Sequence, residues 1–385
     1  MASCGGAGEY EWVLEHVQSP SQAERSTRKA KTKTKAKTTK GKSSVRERVL
    51  TSVWGGHGYV ARLEGPSSVV VKVIHLPDEE TGSFGDLRKR ASYFVEAAFY
   101  TRGARDALVE AGSGGVLYVP EAYGVWEPEG EIVLALEAVD APGVARYMGD
   151  GDGVRILEAL AAWHGVWWDS GDGSGGYEGS VDRAVRDLGV AQQGSYWYLD
   201  TRPDEWESMS GGNSLEGRLK AAAGAIDARM KASPFQTIIH GDAKPANMML
   251  DGSSKSNPVI MVDFQYVGKG PPTRDVAYFV SRAANDRDEE HELLVAYHNA
   301  LIKAIGKERA NGYSFDRFET EYTLACADLV RFLFGWGMWG SESILLPRTR
   351  QLMDALDAGS LLSSPQDYVD AIANSPIFAL QELSG

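Results

Sequence analysis

The chain has 385 residues, 43% hydrophobic and 24% charged, the composition of a globular protein and the length of two domains or one two-lobed unit. Its net charge of −13 hides a basic tract: residues 24–48 hold eleven Lys/Arg against two Glu, leaving about −22 on the rest, which argues against a dedicated nucleic-acid surface. Two cysteines, Cys4 and Cys326, exclude a disulfide framework and fit a reducing compartment, and no apolar run approaches the ~20 residues of a membrane span.

The N-terminus lacks the basic start and apolar stretch of a signal peptide. Residues 18–44 are a Lys/Thr-rich, low-complexity tract with almost no large apolar groups. Such a tract cannot bury enough surface to offset chain entropy, so order is expected from about Val45, with 1–44 a disordered basic tail. The tail suits weak polyanion binding or nuclear targeting; the rest reads as cytoplasmic.

Beyond the tail, Val60–Leu63 and Val69–Ile74 are β-branched runs around a Gly-Pro turn and read as a hairpin. Phe84–Leu108 has helical spacing, with Leu87, Phe94, Ala97, Ala98 and Tyr100 apolar. Val116–Val125 and Ile132–Val139 read as two strands, and Pro142 and Gly143 then break the pattern. From there the chain is mainly helical. Val154–Trp168 is a strong amphipathic helix, Gly171–Gly176 a loop, and 181–231 holds helices around the aromatic island Tyr196-Trp197-Tyr198. Thr237–His240 and Val259–Val262 are short apolar runs flanking a compact loop, and helical patterns follow from Asp275 to Leu383.

The chemistry concentrates in His240-Gly241-Asp242-Ala243-Lys244-Pro245-Ala246-Asn247 and in Met261-Val262-Asp263-Phe264-Gln265. A tight loop after a strand aims Asp242 and Asn247 inward together. A second carboxylate, Asp263, returns to the same point at the end of a hairpin. Phosphoryl transfer asks for this set: oxygen ligands for Mg²⁺ from Asn247 and Asp263, Asp242 beside the acceptor hydroxyl, and a cation, Lys244, for the transferred phosphate. Taken singly, Asp, Asn, Gly and Pro are also ordinary turn residues. Gly55, Gly56 and Gly58 lie on the first hairpin turn, where glycine lets backbone N–H groups approach phosphates, although a plain glycine-rich turn reads the same way.

These two motifs resemble the catalytic loop and metal motif of the aminoglycoside/choline kinase-type phosphotransferases, most closely the ecdysteroid kinase-like (CHK kinase-like) branch. The resemblance extends over most of 49–340 through SVWGGHGYVARL, VVVKV, SYFVEAAFY, VLALEAV, LAAWHGVWW, GSYWYLDTRPDEW and TRDVAYFV. It implies an α+β, two-lobed protein kinase-like fold: a small antiparallel-sheet lobe over 45–140 and a mainly helical lobe over 141–385 that carries the catalytic loop and acceptor site. It implies ATP and Mg²⁺ as cofactors and a small-molecule hydroxyl as acceptor. Lys72 matches the family's phosphate-binding lysine and Glu96 its partner; by itself Lys72 also reads as an exposed position on an edge strand. The Glu137 carbonyl and Val139 amide are placed at the adenine. His240, His164 and Asp275 are read as support of the catalytic loop. The acceptor pocket is expected among Trp167, Trp168, Tyr196, Trp197, Trp336 and Trp339, residues that serve a core equally well. A protein kinase is the first alternative, weakened by only twelve positions from Asp263 to Asp275 and by Gln265 where a DFG glycine would stand. A non-catalytic nucleotide-binding pseudokinase is the second, weakened by the presence of Lys72, Asp242, Asn247 and Asp263 together.

Overall fold

A computed structural model describes residues 13, 46–65, 67–139, 148–149, 151–171, 180–250, 254, 257–338 and 342–375. The tail apart from Val13, the breaker at 140–143, the loop over 172–176 and Trp339 lie outside the described residues. The chain divides into two compact units, one of residues 1–105 and 120–140, the other of 106–119 and 141–385.

The first unit is built on an antiparallel sheet. β1 (Arg46–Ser52), β2 (Gly58–Glu64) and β3 (Val69–His75) run as a meander, and α1 (Phe84–Thr101) follows. Ser83 caps α1 in a reciprocal box with Asp86, satisfying the backbone donors that open a helix. The helix expected over Phe84–Leu108 is interrupted after Thr101. Gly103, at φ +82, takes a left-handed conformation that stops α1, and α2 (Ala104–Glu110) starts beyond it. The apolar stripe read on this helix is also corrected: Tyr93, Ala97 and Phe99 are buried, whereas Leu87 and Phe94 are exposed.

The strand expected over Val116–Val125 is two strands. Pro120, which has no N–H for a ladder, separates β4 (Leu117–Tyr118) from β5 (Ala122–Trp126). β4 pairs in parallel with a strand of the second unit, Leu117 opposite Val259, so 106–119 leaves the lobe that the sequence placed it in. β5 and β6 (Glu131–Glu137) complete the five-stranded sheet in the order β1-β2-β3-β6-β5.

The second unit is mainly helical. α3 (Asp152–Val166) precedes α4 (Val181–Leu188), α5 (Pro203–Ser208) and α6 (Leu215–Lys231). Short strands β7 (Thr237–Ile239), β8 (Met248–Met249), β9 (Val259–Met261) and β10 (Gly268–Gly270) carry the loops that matter. β8 and β9 form the expected hairpin, with Met248 opposite Met261, and β10 pairs with β7. α7 (Thr273–Ala283), α8 (Arg287–Ile305), α9 (Phe315–Trp336), α10 (Glu342–Asp357) and α11 (Pro365–Asn374) follow. α3 packs on α8, and α9 packs on α6, α7 and α10. The fold class is therefore the expected one: an antiparallel-sheet unit followed by a mainly helical unit. No described helix is long and apolar enough to cross a membrane.

Candidate active site

In the first unit, Lys72 sits in the middle of β3, opposite Leu134 of β6 and Val60 of β2. β3 is the central strand, so the edge-strand reading of Lys72 falls. Its ammonium is 2.7 Å from the Glu96 carboxylate of α1, and the two residues are only 7% and 1% exposed. A lysine here is stable because the carboxylate offsets its desolvation. The turn between β1 and β2 holds Gly55 and Gly56, both at positive φ. Gly58 has a different reason to be glycine: a Cβ there would lie 2.0 Å from the Val73 carbonyl oxygen, so the sheet itself demands it. Glu137 closes β6, donating its N–H to the Glu121 carbonyl at 2.8 Å and accepting the Glu121 N–H on its side chain at 3.2 Å. Val139 lies two residues beyond the strand.

In the second unit, the loop from His240 to Asn247 is held from beneath by one carboxylate. Asp275, near the start of α7, accepts the His240 N–H at 2.6 Å and the Gly241 N–H at 2.9 Å. It also accepts a hydrogen bond from His164 Nε2 at 3.1 Å, while the Tyr297 hydroxyl donates to His164 Nδ1 at 2.8 Å. His164 is thus a fixed, buried bridge between α3, α7 and α8. His240 is also wholly buried, and burial lowers its pKa, keeping the ring neutral. Its Nε2 donates to the Val262 carbonyl at 3.1 Å and its Nδ1 accepts the Asp242 N–H at 3.3 Å. Gly241, at φ +79, lies where a Cβ would be 2.1 Å from the Tyr266 carbonyl oxygen. No other residue fits this crossing of two chain segments.

Asp242 is the centre of the arrangement. Its Oδ2 accepts from Lys244 Nζ at 2.7 Å and from the Asn247 side-chain amide at 3.0 Å; the same amide donates to the Asp242 carbonyl at 2.9 Å. Its Oδ1 is buried with no hydrogen-bond partner. Burial pushes the Asp242 carboxyl up to about 6, with Lys244 opposing and the Asp263 charge adding to the rise. Burial works to lower the Lys244 ammonium, but the Asp242 carboxylate outweighs it and holds the lysine charged, above its ordinary value. Asp263 follows the β8–β9 hairpin in a left-handed conformation (φ +68) and accepts from the Gln265 amide at 2.9 Å. The Val262 N–H donates to the Asn247 carbonyl at 3.1 Å, which ties the two motifs together. Phe264 is buried and stacks on Trp163 at 5.6 Å between ring centres, anchoring the Asp263 turn.

The aromatic candidates divide. Trp167 and Trp168 are fully buried core residues: Trp167 packs on Trp163, and Trp168 stacks on Phe235 and donates to the Arg309 carbonyl at 3.0 Å. They are not pocket walls, which corrects the expectation for both. Trp197 is also buried, beneath the Arg274 guanidinium at 5.5 Å. Tyr196 is different. Its hydroxyl lies 3.1 Å from that of Tyr278, and its ring meets Tyr266, Tyr278 and Phe332 at 5.4, 6.0 and 5.6 Å. Trp336, 44% exposed, stacks on Phe332. The Arg202 guanidinium lies over Tyr196, Phe332 and Trp336 at 5.4, 5.0 and 5.3 Å, held by the Tyr196 carbonyl at 2.6 Å and Glu205 at 2.9 Å. This wall adjoins the His240–Asn247 loop, because the Ser195 N–H donates to the Tyr266 carbonyl that crosses Gly241. Burial, with a contribution from the Asp242 charge, raises the Tyr278 hydroxyl to about 12 and pushes that of Tyr196 higher still, so both stay protonated donors. Sequence reading missed Tyr266, Tyr278 and Arg202. The signal available was the aromatic and Arg content of the stretches around Tyr196 and Asp275.

Comparison with known proteins gives one family match and several similar solved structures. The model of the phosphotransferase enzyme family matches residues 88–313, a span that contains Glu96, Asp242, Asn247 and Asp263 and begins after Lys72. No curated protein matches the chain. Among solved structures, the microcompartment-associated aminopropanol kinase is similar at 14% identity over 83% of this chain and 94% of its own, with a TM-score of 0.48. A thermostable mutant of an aminoglycoside phosphotransferase, in ternary complex with ADP and hygromycin B, is similar at 13% identity over 80% and 94%, with a TM-score of 0.44. A choline/ethanolamine kinase family protein from Mesorhizobium loti is similar at 13% identity over 84% and 92%, with a TM-score of 0.42.

Proposed function

The chain belongs to the phosphotransferase enzyme family, whose model spans more than half of it, and from that premise we propose that it is an ATP-dependent kinase of small-molecule hydroxyls. The observation that carries this reading is the state of Asp242. One carboxylate oxygen is engaged by Lys244 and Asn247, and the other is buried without a partner. An unpaired buried carboxylate oxygen is costly unless function uses it, and an acceptor hydroxyl is the donor that it lacks.

The residues fit Mg²⁺. The Asn247 amide nitrogen is turned to Asp242, which leaves its carbonyl oxygen for a cation, and Asp263 adds a carboxylate two residues past the β8–β9 hairpin. Among the described residues no three His, Cys, Asp or Glu gather into a metal cage. Mg²⁺ suits a site of one or two protein oxygens, since it takes the rest of its shell from phosphates and water. Bound Mg·ATP supplies the electrophilic γ-phosphoryl group. Asp242 Oδ1 would accept the acceptor's O–H, orient its oxygen and take its proton as that oxygen bonds to the γ-phosphorus and the γ-phosphorus–oxygen bond to the β-phosphate breaks, releasing ADP. Lys244 offsets negative charge beside that carboxylate. Lys72, fixed by Glu96, is assigned to the α/β-phosphates, the Gly55–Gly56 turn to backbone contacts with phosphate, and the Glu137 carbonyl and Val139 amide to adenine.

The acceptor is assigned to the surface formed by the half-buried Tyr196 and the exposed Trp336, with the buried Tyr278 hydroxyl bonded to that of Tyr196. Arg202 already fills the cation site over Tyr196, Phe332 and Trp336, so this wall favours a neutral, multiply hydroxylated compound over a quaternary ammonium. A sterol-like polyol meets that description and agrees with the ecdysteroid kinase-like resemblance. The test is ATP consumption by purified protein against a metabolite library. Mg²⁺-dependent turnover on neutral polyols, lost in Asp263→Ala, supports the reading. Turnover that persists unchanged in Asp263→Ala, or a complete lack of Mg·ATP binding, overturns it.

A further inference from the structure

The turn that follows β9 is anchored residue by residue. The Val262 N–H donates to the Asn247 carbonyl, and the Val262 carbonyl accepts from His240 Nε2, each at 3.1 Å. The buried Phe264 ring stacks on Trp163 at 5.6 Å and meets the His240 ring at 5.2 Å. The Tyr266 carbonyl accepts the Ser195 N–H, and the Val267 carbonyl accepts the Ala191 N–H, each at 3.0 Å. Asp263 and Gln265 alternate with these anchors, and their side chains meet each other: Gln265 Nε2 donates to Asp263 Oδ1 at 2.9 Å.

Asp263, at φ +68, holds a backbone conformation that a side chain disfavours and that its surroundings must maintain. An aspartate in a turn commonly accepts the backbone N–H two residues on. Here the donor is instead the side-chain amide of that residue. Gln265 is only 8% exposed, so a long, rotamer-rich side chain is ordered under cover to make this one bond. Only the NH₂ end of the amide can face a carboxylate oxygen, which fixes how the amide is turned. Gln265 also stands where a DFG glycine would. Glycine would free the backbone and give Asp263 no donor.

We propose that Gln265 is a positioning residue for the metal: its amide orients the Asp263 carboxylate before Mg²⁺ arrives. The inference rests on the assignment of Asp263 to Mg²⁺. A hydrogen-bond partner that orients a ligating carboxylate typically contributes about 10–100-fold in metal affinity. A neutral amide suits the task, because a lysine or arginine donor in its place would repel the incoming cation.

The test titrates Mn²⁺, a spectroscopic stand-in for Mg²⁺ with the same preference for oxygen, into the full chain at saturating ADP. Free Mn²⁺ is read by electron paramagnetic resonance. Gln265→Met keeps the length of the side chain and removes the donor. It is expected to weaken Mn²⁺ binding about 10-fold or more, with a fall in melting temperature of only about 2–4 °C. Gln265→Gly also removes the donor; it is expected to give the same loss and serves if the methionine variant fails to fold. In an Asp263→Ala background Gln265→Met is expected to change Mn²⁺ binding no further, because the amide acts through that carboxylate. Unchanged Mn²⁺ binding in Gln265→Met, beside a loss in Asp263→Ala, overturns the positioning role and leaves the metal assignment standing. An equal loss with and without the Asp263 carboxylate overturns the claim that Gln265 acts through it. Mn²⁺ binding that Asp263→Ala does not change overturns the metal assignment, and the inference with it.

Discussion

Lys244 Nζ stands 2.7 Å from Asp242 Oδ2, two residues away in sequence, and leaves Asp242 Oδ1 buried and unpartnered. The lysine side chain remains 37% exposed while the aspartate is almost fully buried. The pair is therefore asymmetric: the lysine reaches solvent, and the carboxylate carries the desolvation.

That asymmetry predicts a pH signature in the protein free of metal and nucleotide. Burial places the folded Asp242 pKa at about 6, above its ordinary 3.8, so the folded state holds this proton more tightly than the unfolded one. The stabilisation from this group is fully present below about pH 4 and is lost as pH rises through about 6, on the order of 2–3 kcal/mol. Asp242→Asn removes this dependence. The wild-type-minus-variant difference in chemical-denaturation stability should therefore fall between pH 4 and 6.5; a flat difference contradicts the placement of Asp242.

Lys72 and Glu96 form a buried pair, and breaking it from one side leaves a charge in the core of the first unit. Lys72→Ala should lose turnover and also destabilise the protein by about 3–5 kcal/mol, the usual cost of removing one partner of a buried ion pair. Lys72→Met with Glu96→Leu should recover much of the stability and none of the turnover. Denaturant midpoints and ATP consumption on both variants check this. Recovery of turnover by the double variant would show that the pair is only structural.

Asp275 accepts the backbone N–H groups of His240 and Gly241 and one imidazole N–H. Asp275→Ala leaves three buried donors, each worth about 1–3 kcal/mol when unsatisfied, so a loss of roughly 3 kcal/mol or more is expected. Asp275→Asn keeps an acceptor and should fall between. If Asp275→Ala keeps wild-type stability and turnover, the loop has another support.

The contacts of the loop proposed as catalytic were legible because they are local: Asp242, Lys244 and Asn247 lie within six residues and meet in the fold. The five-strand sheet was legible from β-branched runs, but Pro120 and Gly103 cut two elements that hydrophobicity alone joined. The wall proposed for the acceptor was only half legible. Tyr196 meets Tyr278 across 82 residues, and Arg202 acquires two of its three rings, Phe332 and Trp336, through the long-range approach of α9. Trp167 and Trp168 show the converse: an aromatic residue in sequence does not say whether it faces a ligand or a core. Val13, inside the stretch expected to be a disordered tail, is buried against the sheet, a long-range contact that its own sequence surroundings do not announce.

The most direct test is turnover per folded molecule of Asp242→Asn, measured with Mg·ATP and the best acceptor from the screen. The variant keeps side-chain size and removes the carboxylate proposed to receive the hydroxyl proton. Turnover should fall ~10²–10⁴-fold, with Mg·ATP affinity by calorimetry within a few fold of wild type because Asn247 and Asp263 are untouched. Near-wild-type turnover by folded Asp242→Asn would contradict the account.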